Sequence, residues 1–183
     1  MTRVLVPLAP GFEDLEATTI VDLLRRGGIE VVTAGLQPGL VQGARGMRVQ
    51  PDAVLDDVLD QDFAMIALPG GMPGAENLKN DARIVALLKR MAGAGKYTAA
   101  ICAAPIALAQ AGLLDGRRAT SFPGFVDKLA IPGGQYTGAA IEIDGKVVTS
   151  RGPGTAMDFA LELVRLLAGE ATRQQVEAGL VRS

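Results

Sequence analysis

The segment Lys96-Tyr97-Thr98-Ala99-Ala100-Ile101-Cys102-Ala103-Ala104-Pro105-Ile106-Ala107-Leu108 changes character in its middle. Its first half is a short apolar run that follows the breaker Gly93-Ala94-Gly95, and it predicts a buried strand. Its second half predicts a helix of small residues over about residues 103–111, with Gly112 at the position of a C-terminal cap. The junction between strand and helix therefore falls on Cys102.

Cys102 is the only cysteine of the chain. A strand that turns sharply into a helix holds its turn residue in a strained conformation with the side chain exposed, as in a nucleophile elbow, and Ala100 and Ala104 are small enough to flank it. The adjacent helix N-terminus is expected to lower the thiol pKa. The alternative is that Cys102 is a small buried hydrophobic residue, and this segment alone does not distinguish the two.

Composition predicts one globular domain over residues 1–183, because 49% of the residues are hydrophobic and 21% are charged. The 18 basic and 20 acidic side chains leave a net charge of −2 without a basic stripe, so nucleic acid is not an expected partner. No apolar stretch approaches the roughly 18 residues of a membrane helix, which argues against a membrane partner. A lone cysteine fits a reducing compartment, and we expect a cytoplasmic protein.

The chain contains no histidine. This excludes histidine-based metal sites, Cys-His dyads and a histidine general base. The single cysteine and the scattered carboxylates match no usual set of metal ligands. We therefore expect neither a metal ion nor another cofactor.

Apolar runs alternate with amphipathic segments along the chain, which predicts an α/β fold with a mostly parallel sheet between layers of helices. The expected strands lie over about residues 4–8, 29–34, 41–43, 47–50, 63–68, 97–101, 119–121 and 141–149, the last being a hairpin around Asp144-Gly145. The expected helices begin near Glu13, near Asp52 (a short turn), at the N-cap Asp81, after Cys102, near Val126, at the N-cap Thr155 and near Thr172.

Binding sites in such sheets form beyond the carboxyl ends of the strands. This rule brings three segments to one edge of the predicted sheet: the loop Leu8–Gly11, the turn Pro69-Gly70-Gly71, and Cys102. We therefore expect the functional site there.

Three segments carry a resemblance to a known family: Leu68-Pro69-Gly70-Gly71, Ala99–Pro105 and Thr149–Thr155. They are similar to the ThiJ/PfpI superfamily, and most similar to its branch of Parkinsonism-associated deglycases and YajL-like proteins. The resemblance covers essentially the whole chain. It implies a flavodoxin-like three-layer α/β sandwich, a homodimer and a reactive Cys102.

The resemblance also implies roles for individual residues. An acidic residue of the first helix reaches the cysteine in that family, and the matching position here is Glu16, whose raised pKa would keep it protonated beside a thiolate. Without the family, Glu16 would be read as a solvated helix residue. Glu13 and Asp14 are interpreted as surface charges. The backbone amides of Gly71 and Ala103 match an oxyanion hole.

Four further residues are candidates for the pocket. Gly70 precedes the amide of Gly71, while Arg45 and Arg151 occupy loop positions where they would line the pocket or a dimer face. Either arginine is otherwise an ordinary exposed charge. Phe122 stands where the deglycase branch has a histidine, so a peptidase is not expected, and the YajL-like relatives are similar in this respect.

Two functions remain open at this point. One is an enzyme acting on α-oxoaldehydes or glycated substrates, of the glutathione-independent glyoxalase or deglycase type, through Cys102 and Glu16. The other is a redox sensor or redox-regulated chaperone that responds to oxidation of Cys102. One reactive thiol is compatible with both.

Overall fold

The computed structural model describes residues 2–182, and its centre is a seven-stranded sheet in the order β10-β11-β7-β6-β1-β2-β5. Six neighbouring strands are parallel, and only the edge strand β10 runs antiparallel to its neighbour β11. The strands are β1 Arg3–Leu8, β2 Glu30–Gly35, β3 Val41–Gln42, β4 Arg48–Val49, β5 Ala53–Val54, β6 Met65–Leu68, β7 Tyr97–Ile101, β8 Arg118–Ala119, β9 Gln135–Tyr136, β10 Ile141–Asp144 and β11 Val147–Ser150. The strands β3–β4 and β8–β9 form two small separate sheets.

Six α-helices connect and cover these strands. They are α1 Asp14–Arg26, α2 Gly74–Asn80, α3 Ala82–Gly93, α4 Pro105–Gln110, α5 Ala156–Ala168 and α6 Glu170–Gly179. Short 3-10 turns lie at Leu55–Asp57, Val126–Lys128 and Pro153–Thr155.

The helices form two layers, one on each face of the sheet. The chain moves one way along the sheet from β1 to β2 and the other way from β6 to β7, so right-handed crossovers place α1 and α3 on opposite faces. Helix α5 packs on α1 and α6 on α5, while α2, α3 and α4 pack on one another. The predicted three-layer α/β sandwich with a mostly parallel sheet is confirmed.

Several local predictions are confirmed. The Asp81 side chain caps α3 by accepting a hydrogen bond from the backbone N–H of Arg83 at 2.9 Å. The predicted hairpin is present: Asp144 pairs with Val147, so the two connecting residues are Gly145 and Lys146, one residue later than expected. Gly112 follows α4 with a φ of +72°, a left-handed conformation that glycine adopts without strain.

Other local predictions are wrong. Asp52 caps no helix; its carboxylate accepts hydrogen bonds from the backbone N–H and hydroxyl of Thr33, because the following residues continue the sheet as β5. Thr155 does not cap α5, since its hydroxyl is engaged by Gly152 and Ser150. Helix α2 and strand β9 have no counterpart in the sequence-based assignment.

Within residues 2–182, none of the helices combines the length and apolar character needed to cross a membrane. The extent of the domain, residues 1–183, stays a prediction.

Candidate active site

Three adjacent strands bring the chemically important residues together. Strands β7, β6 and β1 are neighbours in the sheet, and Cys102 directly follows β7. Gly70 lies just beyond β6, while Glu16 stands in the first turn of α1, after β1. The carboxyl ends of strands β7, β6 and β1 lie at one edge of the parallel sheet, and this is the edge at which the sequence predicts the site.

Cys102 has the backbone conformation of a nucleophile elbow. Its φ is +62°, which is unusual for a residue with a side chain and marks local strain. Two backbone hydrogen bonds hold this geometry: Cys102 N–H donates to the Ser150 carbonyl at 2.9 Å, and Phe122 N–H donates to the Cys102 carbonyl at 2.8 Å. Cys102 is only 9% exposed, but it lines an open pocket of about 320 Å³.

Glu16 is completely buried, which is rare for a glutamate. Its Oε2 accepts a hydrogen bond from the Gly70 backbone N–H at 2.8 Å. Its Oε1 is buried and accepts no hydrogen bond within residues 2–182. Burial raises the pKa of Glu16 to about 7, and the Gly70 amide and the neighbouring Cys102 thiol only partly oppose this.

The thiol does not have the lowered pKa that its place before a helix predicts. Burial raises the pKa of Cys102 to about 12, and the negative charge of the adjacent Glu16 carboxylate adds to the increase. The backbone amides of Gly71 and Ala103 act in the opposite direction and favour the thiolate. The expected lowering of the thiol pKa therefore does not hold while Glu16 is ionised, because two negative charges would share one buried site.

Gly70 and Gly71 allow the chain to pass very close to these side chains. A Cβ atom on Gly70 would lie 2.7 Å from Cys102 Cβ and 2.7 Å from Glu16 Oε2. Gly71 has a φ of +87° and directs its amide toward the sulfur, as Ala103 does from the start of the following helical turn. Gly71 and Ala103 thus line the same pocket as Cys102, and their role as backbone donors stays a proposal.

The pocket around Cys102 contains two of the four further candidates. Arg45 and Phe122 line it, and Phe122 packs edge-on against Phe125 with ring centroids 6.3 Å apart. Arg151 lies outside this lining. Its guanidinium donates to the Gly138 carbonyl at 3.2 Å, and it borders a neighbouring depression that also contacts Phe122.

The sequence suggested that Glu13 and Asp14 are surface charges, but the structure places both side chains in partly buried surroundings. The Glu13 side chain is 13% exposed, lines the Cys102 pocket and lies 3.7 Å from Arg45, measured from Oε2 to Nε. The Asp14 carboxylate accepts hydrogen bonds from the backbone N–H groups of Arg45 and Met47 at 2.8 and 2.7 Å, and so holds the loop between β3 and β4. The three acids at the start of α1, Glu13, Asp14 and Glu16, thus have three different surroundings.

Sequence reasoning also missed Met72, Phe125 and Pro153 in the pocket lining. Met72 follows Gly71 directly, so its position next to the Gly-Gly turn was an available signal. Phe125 and Pro153 come from loops that only the folded chain brings beside Cys102.

Comparisons with known proteins agree with this geometry. The model of the DJ-1/PfpI family matches residues 2–166. Protein DJ-1 homolog A of Arabidopsis thaliana is 40% identical over 97% of this chain, and the chain spans only 46% of that relative's length. A protein of Pyrococcus abyssi that is named a deglycase is 36% identical over 90% of this chain and 99% of its own. The structure of Toxoplasma gondii DJ-1 in oxidised form superposes with a TM-score of 0.95 at 38% identity, covering both chains fully.

Proposed function

This chain belongs to the DJ-1/PfpI family, and from that premise we propose that it is a reactive-cysteine protein that converts α-oxoaldehydes through Cys102 and Glu16. The observation that carries the proposal is the strained Cys102, which lines an open pocket while a buried carboxyl and two backbone amides surround its sulfur. The relative named a deglycase supports the same class of chemistry.

The Glu16–Cys102 pair supplies a thiolate by sharing a single negative charge. When the pair loses its first proton, the remaining proton can stay on Glu16 and the charge on sulfur. Oε1 of Glu16 has no hydrogen-bond partner among the described residues. In the neutral acid, Oε1 would carry the proton and donate a hydrogen bond to the sulfur. The raised pKa of Glu16 favours this distribution and the raised pKa of Cys102 opposes it, so we propose that only a minor part of the charge resides on sulfur.

The proposed reaction of methylglyoxal begins with attack of the Cys102 thiolate on the aldehyde carbon. A C–S bond forms, and the carbonyl oxygen becomes the oxyanion of a hemithioacetal, stabilised by the amides of Gly71 and Ala103. This oxyanion takes the proton of Glu16, which leaves Glu16 as a carboxylate. The Glu16 carboxylate removes the proton from the former aldehyde carbon and returns a proton to the neighbouring carbon, through an enediol. The product is a lactoyl thioester on Cys102.

Water then hydrolyses this thioester. It adds to the thioester carbonyl, the C–S bond breaks, and lactate and the thiol are released. The sum is methylglyoxal plus water giving lactate, with no external oxidant or reductant. Glycated thiols or amines would enter the same sequence by first releasing their α-oxoaldehyde, which is the deglycase form of the proposal.

The test is lactate formation from methylglyoxal in the absence of glutathione. Cys102→Ala should abolish turnover, while Glu16→Gln should lower it by about 100-fold or more because the proton shuttle is lost. Glu170→Gln, an exposed change at the start of α6, is the matched control and should retain full activity. Lactate production by Cys102→Ala at the wild-type rate would refute the enzyme.

A second candidate function is sensing or chaperone regulation by oxidation of Cys102. The structure of the similar Toxoplasma gondii protein is of its oxidised form, and this favours the second function. Sulfinate oxygens would accept hydrogen bonds from the amides of Gly71 and Ala103 and from a protonated Glu16, and Arg45 could contribute charge from the pocket rim. Mild peroxide should add two oxygens to the wild type, seen by intact mass, and none to Glu16→Ala at a matched dose.

We further propose a homodimer in a reducing compartment such as the cytoplasm. The half-exposed apolar side chains of Leu15 and Met47 would be covered in such a dimer. A reducing compartment keeps the lone thiol available for the chemistry above. Size-exclusion chromatography with light scattering tests the dimer directly.

A further inference from the structure

The Glu13 carboxylate is an enclosed negative charge that faces the Cys102 pocket without a firm partner. Its backbone N–H donates to the Gly70 carbonyl at 2.8 Å, which fixes the residue at the beginning of α1. Its side chain is 13% exposed and does not cap the helix. The only ion pair that it forms among the described residues is the 3.7 Å contact with Arg45.

Arg45 compensates this charge poorly. Its side chain is 76% exposed, so water and salt screen its charge far more than that of Glu13. No other charged side chain lines the pocket within residues 2–182, and the remaining lining is backbone or apolar, including Met72, Phe122 and Phe125. A ligand that enters this pocket therefore meets the weakly compensated negative charge of Glu13.

We infer that Glu13 makes the Cys102 pocket selective for uncharged electrophiles and excludes those that carry a carboxylate beside the reacting carbon. Under the proposed function, on which this substrate class rests, methylglyoxal is accepted, whereas glyoxylate, an aldehyde with a carboxylate in place of the acetyl group, is rejected. Glu13 determines specificity through its charge, and it takes no part in bond making.

The test uses two alkylating reagents of nearly equal size, iodoacetamide and iodoacetate, which differ in the charge next to the reacting carbon. In both reactions the thiolate displaces iodide and forms one C–S bond. Cys102 is the only cysteine, so intact mass follows this residue alone. The ratio of the two rate constants cancels the thiolate fraction, and with it every effect of Glu13 on the titration of Glu16 or Cys102.

The wild type should prefer iodoacetamide over iodoacetate by more than glutathione does. Glu13→Gln should lower this preference by about tenfold, the order expected for unit charges a few ångströms apart in a partly shielded pocket. Arg45→Gln should raise the preference by about threefold, since it removes the partial compensation. Glu170→Gln changes the net charge equally but lies at the start of α6, and should stay within about twofold of wild type.

A wild-type preference equal to or below that of glutathione would overturn the inference, and so would an unchanged preference in a folded Glu13→Gln. If Glu13→Gln does not fold by circular dichroism, the wild-type ratio and the Arg45→Gln ratio decide the matter. The alkylation ratio does not depend on turnover. If Glu13→Gln lowers the preference for iodoacetamide as expected but the wild type forms no lactate, only the proposed enzyme is refuted. If the wild type forms lactate but Glu13→Gln leaves the preference unchanged, only this inference is refuted.

Discussion

The Gly70 backbone amide anchors the Glu16 carboxyl by donating a 2.8 Å hydrogen bond to Oε2. Gly70 also lies against Cys102, so one glycine of the β6 turn holds the acid beside the thiol that follows β7. This bond occupies one carboxyl oxygen and leaves Oε1 unpartnered among the described residues. Because Glu16 and Cys102 are held side by side, the protonation state of each is expected to depend on the other.

The Glu16–Cys102 pair should titrate as one unit. The pKa of Glu16 is raised to about 7 and that of Cys102 to about 12, so the pair accepts one negative charge near pH 7 and resists a second. The alkylation rate of Cys102 by iodoacetamide should therefore rise with a midpoint near pH 7, because under the proposed function a minor part of the shared charge resides on sulfur.

Glu16→Gln should replace these two steps by one that lies between them. Removal of the carboxylate charge lowers the second pKa, while burial keeps the isolated thiol above the roughly 8.5 of a free cysteine. Thiolate absorbance near 240 nm and alkylation rates measure both effects. An unchanged midpoint near pH 7 in Glu16→Gln would contradict the shared charge.

Stability should fall as the pH rises from about 4.5 to 7. The folded-state pKa of Glu16 is raised from 4.5 to about 7, so the native protein binds more protons than the unfolded chain in this window. The contribution is fully present below pH 4.5 and is lost as Glu16 ionises, a decrease of about 3 kcal/mol in the free energy of unfolding. In urea unfolding, the free energy of unfolding of the wild type should fall by this amount relative to Glu16→Gln between pH 4.5 and 7. Parallel pH profiles of the two proteins would contradict a raised Glu16 pKa.

Gly70→Ala should separate Glu16 from Cys102. The added Cβ would lie 2.7 Å from atoms of both side chains and 2.9 Å from the Ile101 carbonyl, so the loop must shift at a cost of about 1–3 kcal/mol in unfolding free energy. The alkylation midpoint should move toward that of Glu16→Gln. Gly93→Ala is the control, since a Cβ there meets nothing within 4 Å, and it should be neutral or stabilising. A Gly70→Ala protein with wild-type stability and titration would show that this close approach has no such role.

Asp14→Ala should loosen the wall of the pocket. The two hydrogen bonds from Asp14 to the amides of Arg45 and Met47 hold the β3–β4 loop, and their loss should cost about 2–3 kcal/mol in urea unfolding. Hydrogen exchange at these two amides should accelerate. Asp22→Ala, on the same helix, removes only an exposed pair with Arg26 and should cost about 0.5 kcal/mol. Equal effects of the two changes would exclude a special role for Asp14.

Much of the fold was predictable because its signals are local. Apolar runs identify the buried strands, and Gly145 marks the hairpin because glycine adopts a positive φ without strain. The turn at Cys102 follows from a strand, small neighbours and a helix in immediate succession, and the observed φ of +62° agrees with it. Local chemistry was misleading at Asp52 and Thr155, whose side chains find stronger partners elsewhere in the fold.

The amino-acid order alone was enough to specify a parallel α/β sandwich, to single out Cys102 and, through family resemblance, to associate Glu16 with it. The position of Glu13 in the lining of the Cys102 pocket, the hydrogen bonds by which Asp14 holds a loop and the raised pKa of the thiol emerged only when distant segments were brought together. The physical reason is that periodicity and turn preferences act between neighbours in the chain. Desolvation and charge coupling depend on every group that folding packs around an atom, whatever its distance in sequence.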